Sequence, residues 1–242
     1  MKYKLLSAAL LTTSLSHADF IGGEISVGYI NEQPSGTFSY KGTQGDVENT
    51  FGWKSENAIM AKAYLEHPVP VLPNIRLTYT NLSHSGTGEV TAFTYGDKTY
   101  SGTITTDFDT DIIDGTLYYE ILDNWVNLDL GINAKYINGT ATVNNTLIGK
   151  TNADISVVIP TLYAKARFDL PATNISFQAE GDAISYSGNT LYDIYLSARY
   201  TFIAGLGVEA GVKRTKFKLD DIDDVTADVD FTGLYISAVW DF

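Results

Sequence analysis

Alternation of apolar and polar residues is the feature that most limits how this chain can fold. In 191–201, Tyr, Ile, Leu, Ala and Tyr alternate with Asp, Tyr, Ser and Arg, and 125–136 and 234–242 repeat the pattern. Successive residues of a β-strand point to opposite faces, so this period predicts strands with one apolar and one polar face. Beyond residue 18 no apolar run reaches ten residues, whereas a membrane-spanning helix needs about 20. A helical membrane protein is therefore excluded.

Charge and cysteine content exclude further classes of protein. The 242 residues carry 29 acidic and 16 basic side chains, a formal net charge of −13. A nucleic-acid binder needs a basic surface, so no nucleic-acid partner is expected. The chain has no cysteine, which excludes disulfides, thiolate-bound metals and a thiol nucleophile.

The first 18 residues have the features of a Sec-type secretory signal peptide. Lys2 and Lys4 precede a short apolar run at 5–15, and Ser-His-Ala at 16–18 is a small-x-small cleavage site. We therefore predict a cleaved signal at 1–18 and one barrel domain at 19–242. Export leaves two classes open, a soluble β domain and a transmembrane β-barrel.

Ten segments show the strand pattern, and their spacing indicates a membrane barrel. They lie near 20–30, 57–66, 74–83, 107–121, 125–137, 154–168, 174–185, 191–201, 206–218 and 229–242. Long polar links near 31–56, 84–106, 138–153 and 219–228 alternate with short ones, and only the short link near 186–190 breaks the rhythm. Long outer loops, short periplasmic turns and an even strand count are typical of outer-membrane proteins. The predicted fold is all-β, a transmembrane antiparallel up-and-down barrel of ten strands, with eight as the alternative count.

The composition of the two strand faces separates a barrel from a soluble sandwich. The polar face mixes small, aromatic and charged residues, which suits a narrow lumen. The apolar face is banded, with aromatic residues near both predicted membrane boundaries. Those of the periplasmic boundary are Tyr119, Trp125, Phe168, Phe177, Tyr200, Trp240 and Phe242, and those of the outer boundary are Tyr29, Tyr79, Tyr136 and Tyr192.

The last strand resembles the C-terminal strand of bacterial outer-membrane proteins. Residues 235–242 alternate apolar positions and end in Phe242, with Tyr235 and Trp240 before it. The resemblance implies an outer-membrane location and recognition of these three residues by the barrel-assembly machinery, with periplasmic chaperones as further partners.

Three further segments, 19–24, 66–76 and 118–125, resemble a family of small Gram-negative outer-membrane β-barrel proteins of unassigned function. The family supplies no catalytic assignment, so none is carried over to this chain.

The ninth predicted strand suggests contact with outer-membrane lipid. Arg214, Lys216 and Lys218 continue its apolar face outward. Charges are tolerated at the membrane interface, and Arg and Lys bind phosphate groups. The sequence therefore predicts contact with lipopolysaccharide. The alternative is a strand that simply extends into water.

Nothing in the sequence identifies a catalytic, cofactor or metal site. His84 could share the outer rim with the acidic residues at 220–224, but no spacing indicates a catalytic arrangement, so a solvated histidine is expected there. The acidic stretch 219–228 lacks the Gly and Glu of an EF-hand loop, so a solvated loop is expected, with loose binding of divalent cations as the alternative. No enzyme, cofactor or resident metal is predicted.

The charged residues of the polar face argue against a wide channel. Seven cations and nine anions occupy inward positions, and they should pair across the lumen because an unpaired buried charge is costly. Barrels need about 16 strands for a wide aqueous channel. The predicted function is therefore non-enzymatic, namely membrane structure or surface interaction through long outer loops. A narrow, porin-like pore is the alternative, and a hydrolase at the rim ranks third.

Overall fold

A computed structural model describes residues 22–69, 71–222 and 224–242, so the predicted signal at 1–18 lies outside the described residues. Within them no helix is long and apolar enough to span a bilayer. The strands are β1 (Gly22–Tyr40), β2 (Gly45–Asp46), β3 (Glu56–Glu66), β4 (Asn74–Tyr95), β5 (Lys98–Leu122), β6 (Val126–Asn145), β7 (Gly149–Asp169), β8 (Ile175–Tyr186), β9 (Asn189–Thr201), β10 (Leu206–Ile222) and β11 (Val225–Asp241).

Ten of these strands form a closed antiparallel wall. The sheet runs in chain order from β3 to β11, and β1 lies between β3 and β11. The closing ladder of β1 and β11 extends from Glu24 opposite Asp241 to Tyr40 opposite Val225. The short β2 pairs only with β1 and lies outside the order of the wall. The fold class and the count of ten strands are confirmed, and the alternative count of eight is wrong.

An apolar band surrounds the wall on its outside. Its outward side chains are between 44% and 72% exposed: Val27, Leu77, Leu117, Ile132, Leu162, Leu196 and Ile236. Aromatic side chains face outward at both edges of the band, for example Trp125 and Trp240 at one edge and Tyr29 at the other. A closed wall with such a band is the architecture of an outer-membrane protein, which confirms the predicted location. We call the end that carries Gly22 and Phe242 the periplasmic end.

The strands extend much farther outward than the sequence indicated. The predicted long loops near 84–106, 138–153 and 219–228 are largely strand, and the links are only 96–97, 146–148 and 223–224. The expectation of long outer loops was therefore wrong at these places. Of the predicted long links, 41–55 remains as a long segment between β1 and β3, interrupted by β2.

The outer parts of the strands were predicted as loops because the two faces of the wall exchange polarity outside the membrane. In the membrane part of β5, Leu117 faces outward while Asp114 is buried in the lumen. Farther out on the same strand, Asp107 is exposed and Phe108 and Ile104 are buried inside. The outer part of the barrel thus has the apolar interior and polar surface of a water-soluble barrel. Its polar outward residues made these strands resemble loops.

Ion pairs fill the membrane part of the lumen, as predicted. Lys135 Nζ lies 2.6 Å from Asp114 and 2.5 Å from Asp193, and 3.5 Å from Asp182. Separately, Arg199 lies 2.7 Å from Glu24 and 2.8 Å from Glu209. Asp182 and Glu32 are additional inward acids that the sequence analysis did not include.

Removal of the central cation should destabilise the barrel strongly. Lys135→Ala would leave three buried carboxylates without their ammonium group, a change that typically costs roughly 3–5 kcal/mol. Urea unfolding of the refolded protein in detergent, followed by tryptophan fluorescence, measures the loss. Lys41→Ala is the control, because Lys41 pairs with Asp224 on the exposed surface at 3.5 Å. Equal losses for the two variants would contradict a central role of the ion pairs.

Candidate functional site

The segment 41–55, which we call the plug, folds into the outer part of the barrel. Val47, Phe51 and Trp53 of the plug are 0–5% exposed. The backbone N–H of Val47 donates to the carbonyl of Gly36, and Trp53 Nε1 donates to Thr106 Oγ1 at 3.0 Å. These bonds fix the plug to β1 and β5. The plug therefore belongs to the core of the outer barrel.

A group of stacked rings joins the plug to the wall. Trp53 lies 5.2 Å from Phe108 and 6.2 Å from His84, measured between ring centroids. Phe231 lies 5.2 Å from His84 and 5.7 Å from Phe108. Four rings from the plug, β4, β5 and β11 therefore pack against one another.

His84 is a core residue and not the solvated histidine that we expected at the rim. It is 2% exposed, and its Nδ1 lies 3.0 Å from the carbonyl oxygen of Lys54. Burial lowers the pKa of His84 below its ordinary value. Ser83 and Ser85 lie on the outward face of β4, and Ser85 donates to Glu56. In the described chain no serine hydroxyl is bonded to the His84 ring, so its surroundings do not form a nucleophile–base pair.

The barrel wall has a gap, which we call the side opening, that starts at the outer membrane boundary. The ladder of β7 and β8 ends at Leu162 opposite Ala183, and that of β9 and β10 ends at Thr190 opposite Lys218. Residues 149–161 of β7 therefore pair with β6 but not with β8. The short hairpin of β8 and β9 turns at 187–188, nearer the membrane than the outer ends of the neighbouring strands β7 and β10. Pro160 has no N–H to donate to a ladder.

A cavity of about 310 Å³ lies behind the side opening. Its wall is largely apolar and includes Trp53 and Phe108 of the stacked rings. Val157, which has the inward parity of β7, is 38% exposed, whereas Ile137 on β6 is only 4% exposed. The missing wall explains this difference. The buried hydroxyl of Thr110 lies in the cavity wall without a hydrogen-bond partner.

The three predicted lipid-binding cations do lie together on the outer face of β10. Arg214 Nε lies 2.7 Å from Asp230, and Lys216 bonds to both Asp230 and Asp228. Lys218 stands opposite Asp228 in the ladder and is exposed. These acids were not predicted as partners, although both lie at outward positions of β11. Binding of lipopolysaccharide by the three cations stays a prediction.

The predicted assembly signal is divided between two faces of β11. Trp240 and Phe242 face outward, with ring centroids 4.9 Å apart. Tyr235 is instead buried in the lumen, where its hydroxyl donates to Glu209 at 2.7 Å. Recognition of these residues by the assembly machinery stays a prediction.

Two groups of acidic residues bear on metal binding. The stretch 219–228 is not a free loop, because β10 and β11 include most of it and Asp223 lies outside the described residues. Asp114, Asp182 and Asp193 are close enough together to hold a metal ion. The ammonium group of Lys135 lies among these three carboxylates. The positive charge at this place is therefore supplied by the protein itself.

Comparisons with known proteins concern the fold. No family model matches the chain, and no curated protein matches it. Among solved structures, the outer membrane protease OmpT from Escherichia coli is 10% identical with a TM-score of 0.44, over 93% of this chain and 98% of that one. The attachment invasion locus protein Ail of Yersinia pestis, in complex with the heparin analogue sucrose octasulfate, is 11% identical with a TM-score of 0.36, over 91% and 99%. A Pseudomonas aeruginosa FadL homologue is 9% identical with a TM-score of 0.37, over 92% and 90%.

Proposed function

We propose that this chain is a non-enzymatic outer-membrane barrel with a non-conducting lumen, which acts at the cell surface through its outer barrel. The observation that carries the proposal is the filling of the lumen along its length. Ion pairs occupy the membrane part, and the plug with its stacked rings occupies the outer part. The outer barrel is then the part available for interactions outside the cell.

The membrane part of the lumen supports a closed state. Arg76 is 1% exposed, and its Nε lies 2.6 Å from Glu180, which also receives a bond from Lys62 at 2.6 Å. Nearer the periplasmic end, the rings of Tyr64, Tyr118 and Tyr163 form a buried cluster. Side chains that are buried in this way leave little room for a water-filled path. The alternative of a porin-like pore is therefore disfavoured.

The lack of catalytic geometry around His84 supports a non-enzymatic role. A general base needs a nucleophile within hydrogen-bond reach and a group that orients it. The His84 ring is instead packed between Trp53 and Phe231, and burial favours its neutral form. The hydrogen bond of the ring joins its Nδ1 to the backbone carbonyl of Lys54 and not to a side chain.

Planar-bilayer recordings of the refolded protein should show no conductance steps. The double variant Phe51→Ala/Trp53→Ala loosens the plug but leaves the ion pairs of the membrane part, so it should also remain closed. Heat-modifiable gel migration confirms that both proteins are folded before recording. Regular single-channel steps from the wild type would refute the closed lumen. Steps from the double variant alone would show that the plug is its only seal.

Contact of β10 with lipopolysaccharide is a second part of the proposal. The supporting observation is that Arg214, Lys216 and Lys218 share the outward face just outside the apolar band. Asp228 and Asp230 already pair with two of these cations, so Lys218 should contribute most to phosphate binding.

Lys218→Gln should therefore weaken lipopolysaccharide binding more than Arg214→Gln does, as measured by titration of the refolded protein with fluorescently labelled lipopolysaccharide. Lys41→Gln is the matched control, since Lys41 directly follows the outer end of β1 and is not part of β10. Unchanged binding in the triple variant Arg214→Gln/Lys216→Gln/Lys218→Gln would mean that β10 simply extends into water.

A further inference from the structure

We propose that the cavity behind the side opening binds one hydrocarbon chain of a lipid from the outer leaflet, which enters through the gap between β7 and β10. This site does not depend on whether the lumen conducts ions. It rests on the broken strand pairing, the apolar lining and the position of the opening at the membrane surface.

The cavity behind the side opening has a largely apolar wall. The side chains that line the gap occupy the strand positions that face the inside of the barrel. The side chains of the closed outer core occupy the same kind of position. They are Ile155, Val157, Ile159, Ile184, Leu191 and Phe217. Inward positions elsewhere in the outer barrel are covered by the wall, but here the wall is missing. An apolar occupant would cover these side chains, and the volume of about 310 Å³ is at the lower end of the range for ligand pockets.

The opening begins at the height of the outer aromatic boundary. Its β7 margin begins at Thr161, three positions nearer the periplasmic end than Val158, and Val158 lies opposite Tyr136 of the outer aromatic boundary. Tyr192 of β9 is another residue of that boundary and lies opposite Ala183 of β8. The margin on the β8–β9 hairpin begins one position farther out. Aromatic residues of this kind mark the interface between hydrocarbon and headgroups. The lower edge of the opening therefore lies where an acyl chain can leave the outer leaflet sideways.

The positive charge at the mouth of the cavity favours an amphiphile over a wholly apolar molecule. Lys218 stands opposite Thr190 at the tip of the short hairpin, and Thr190 itself lines the cavity. With the chain inside, an anionic or zwitterionic headgroup would remain outside, within reach of this ammonium group. A free fatty acid shares this chemistry, so the experiment has to separate the two sources.

Trp53 makes the proposal directly measurable, because it lines the cavity. The other two tryptophans, Trp125 and Trp240, face outward near the periplasmic end. In the variant Trp125→Phe/Trp240→Phe, tryptophan emission therefore comes from Trp53 alone and reports on the cavity. The probe is phosphatidylcholine with brominated acyl chains, since bromine quenches tryptophan only at short range. We expect Trp53 emission to fall in vesicles of the brominated lipid relative to vesicles of the ordinary lipid.

A filled cavity provides the matched control. Val157→Phe/Ile159→Phe, added to the single-tryptophan protein, should occupy the space of the chain and restore the emission. If Val157→Phe/Ile159→Phe fails to fold, which gel migration shows, Leu191→Phe replaces it. Emission that is unquenched in the parent protein, or equally quenched in the filled protein, would overturn the proposal. Quenching by brominated free fatty acid in ordinary vesicles, without quenching by the brominated lipid, would also overturn it.

Discussion

Every backbone N–H and C=O inside the hydrocarbon layer must find a partner within the protein, and this constraint organises the whole structure. The pairing of β1 with β11 satisfies it by closing the wall. It also limits where the wall can be incomplete. The unpaired edge of β7 begins at Thr161 and continues outward to Gly149, away from the lipid and towards water. An opening of this kind is compatible with a membrane barrel only near or beyond the outer interface, which is where it is found.

The same wall passes through two solvents, and each solvent selects the opposite arrangement of polarity. In the hydrocarbon layer the outside is apolar, so charged groups such as Lys135 and Glu180 collect in the lumen and are stabilised by each other. Beyond the membrane the outside is polar, so the apolar residues collect inside with the plug. This change of solvent explains how one lumen contains both a network of ion pairs and a hydrophobic core.

The change of solvent also explains which parts of the fold could be predicted from the sequence. The ten membrane segments were found because alternation with lipid-facing residues is strong, as in 191–201. Their outer continuations were missed because Thr, Asp and Ser then occupy the outward positions. On β5 the buried Ile104, Thr106 and Phe108 still have period two, and this weaker signal would have extended the strand.

The candidate site depends on pairing between distant segments, so less of it could be predicted from the sequence. His84 is notable in the sequence, but its partners Trp53 of the plug and Phe231 of β11 lie far from it in the chain. The grouping of Arg214, Lys216 and Lys218 followed from parity alone, whereas their acidic neighbours required the register of β10 and β11. The short link near 186–190 was visible as an irregularity. It marks a gap in the wall only because β7 and β10 extend farther outward than the hairpin that this link joins, and the lengths of those strands were not predicted.

Closure of the lumen and opening of the wall are linked through the plug. In the proposed closed state, the ion pairs of the membrane part would prevent a ligand from approaching the outer core along the barrel axis from the periplasm. Trp53 and Phe108 belong both to the stacked rings that fill the outer lumen and to the cavity wall. A chain in the cavity would thus contact the plug from the side. The route left to it is through the gap, from the membrane surface, which is the direction in which the apolar lining is exposed.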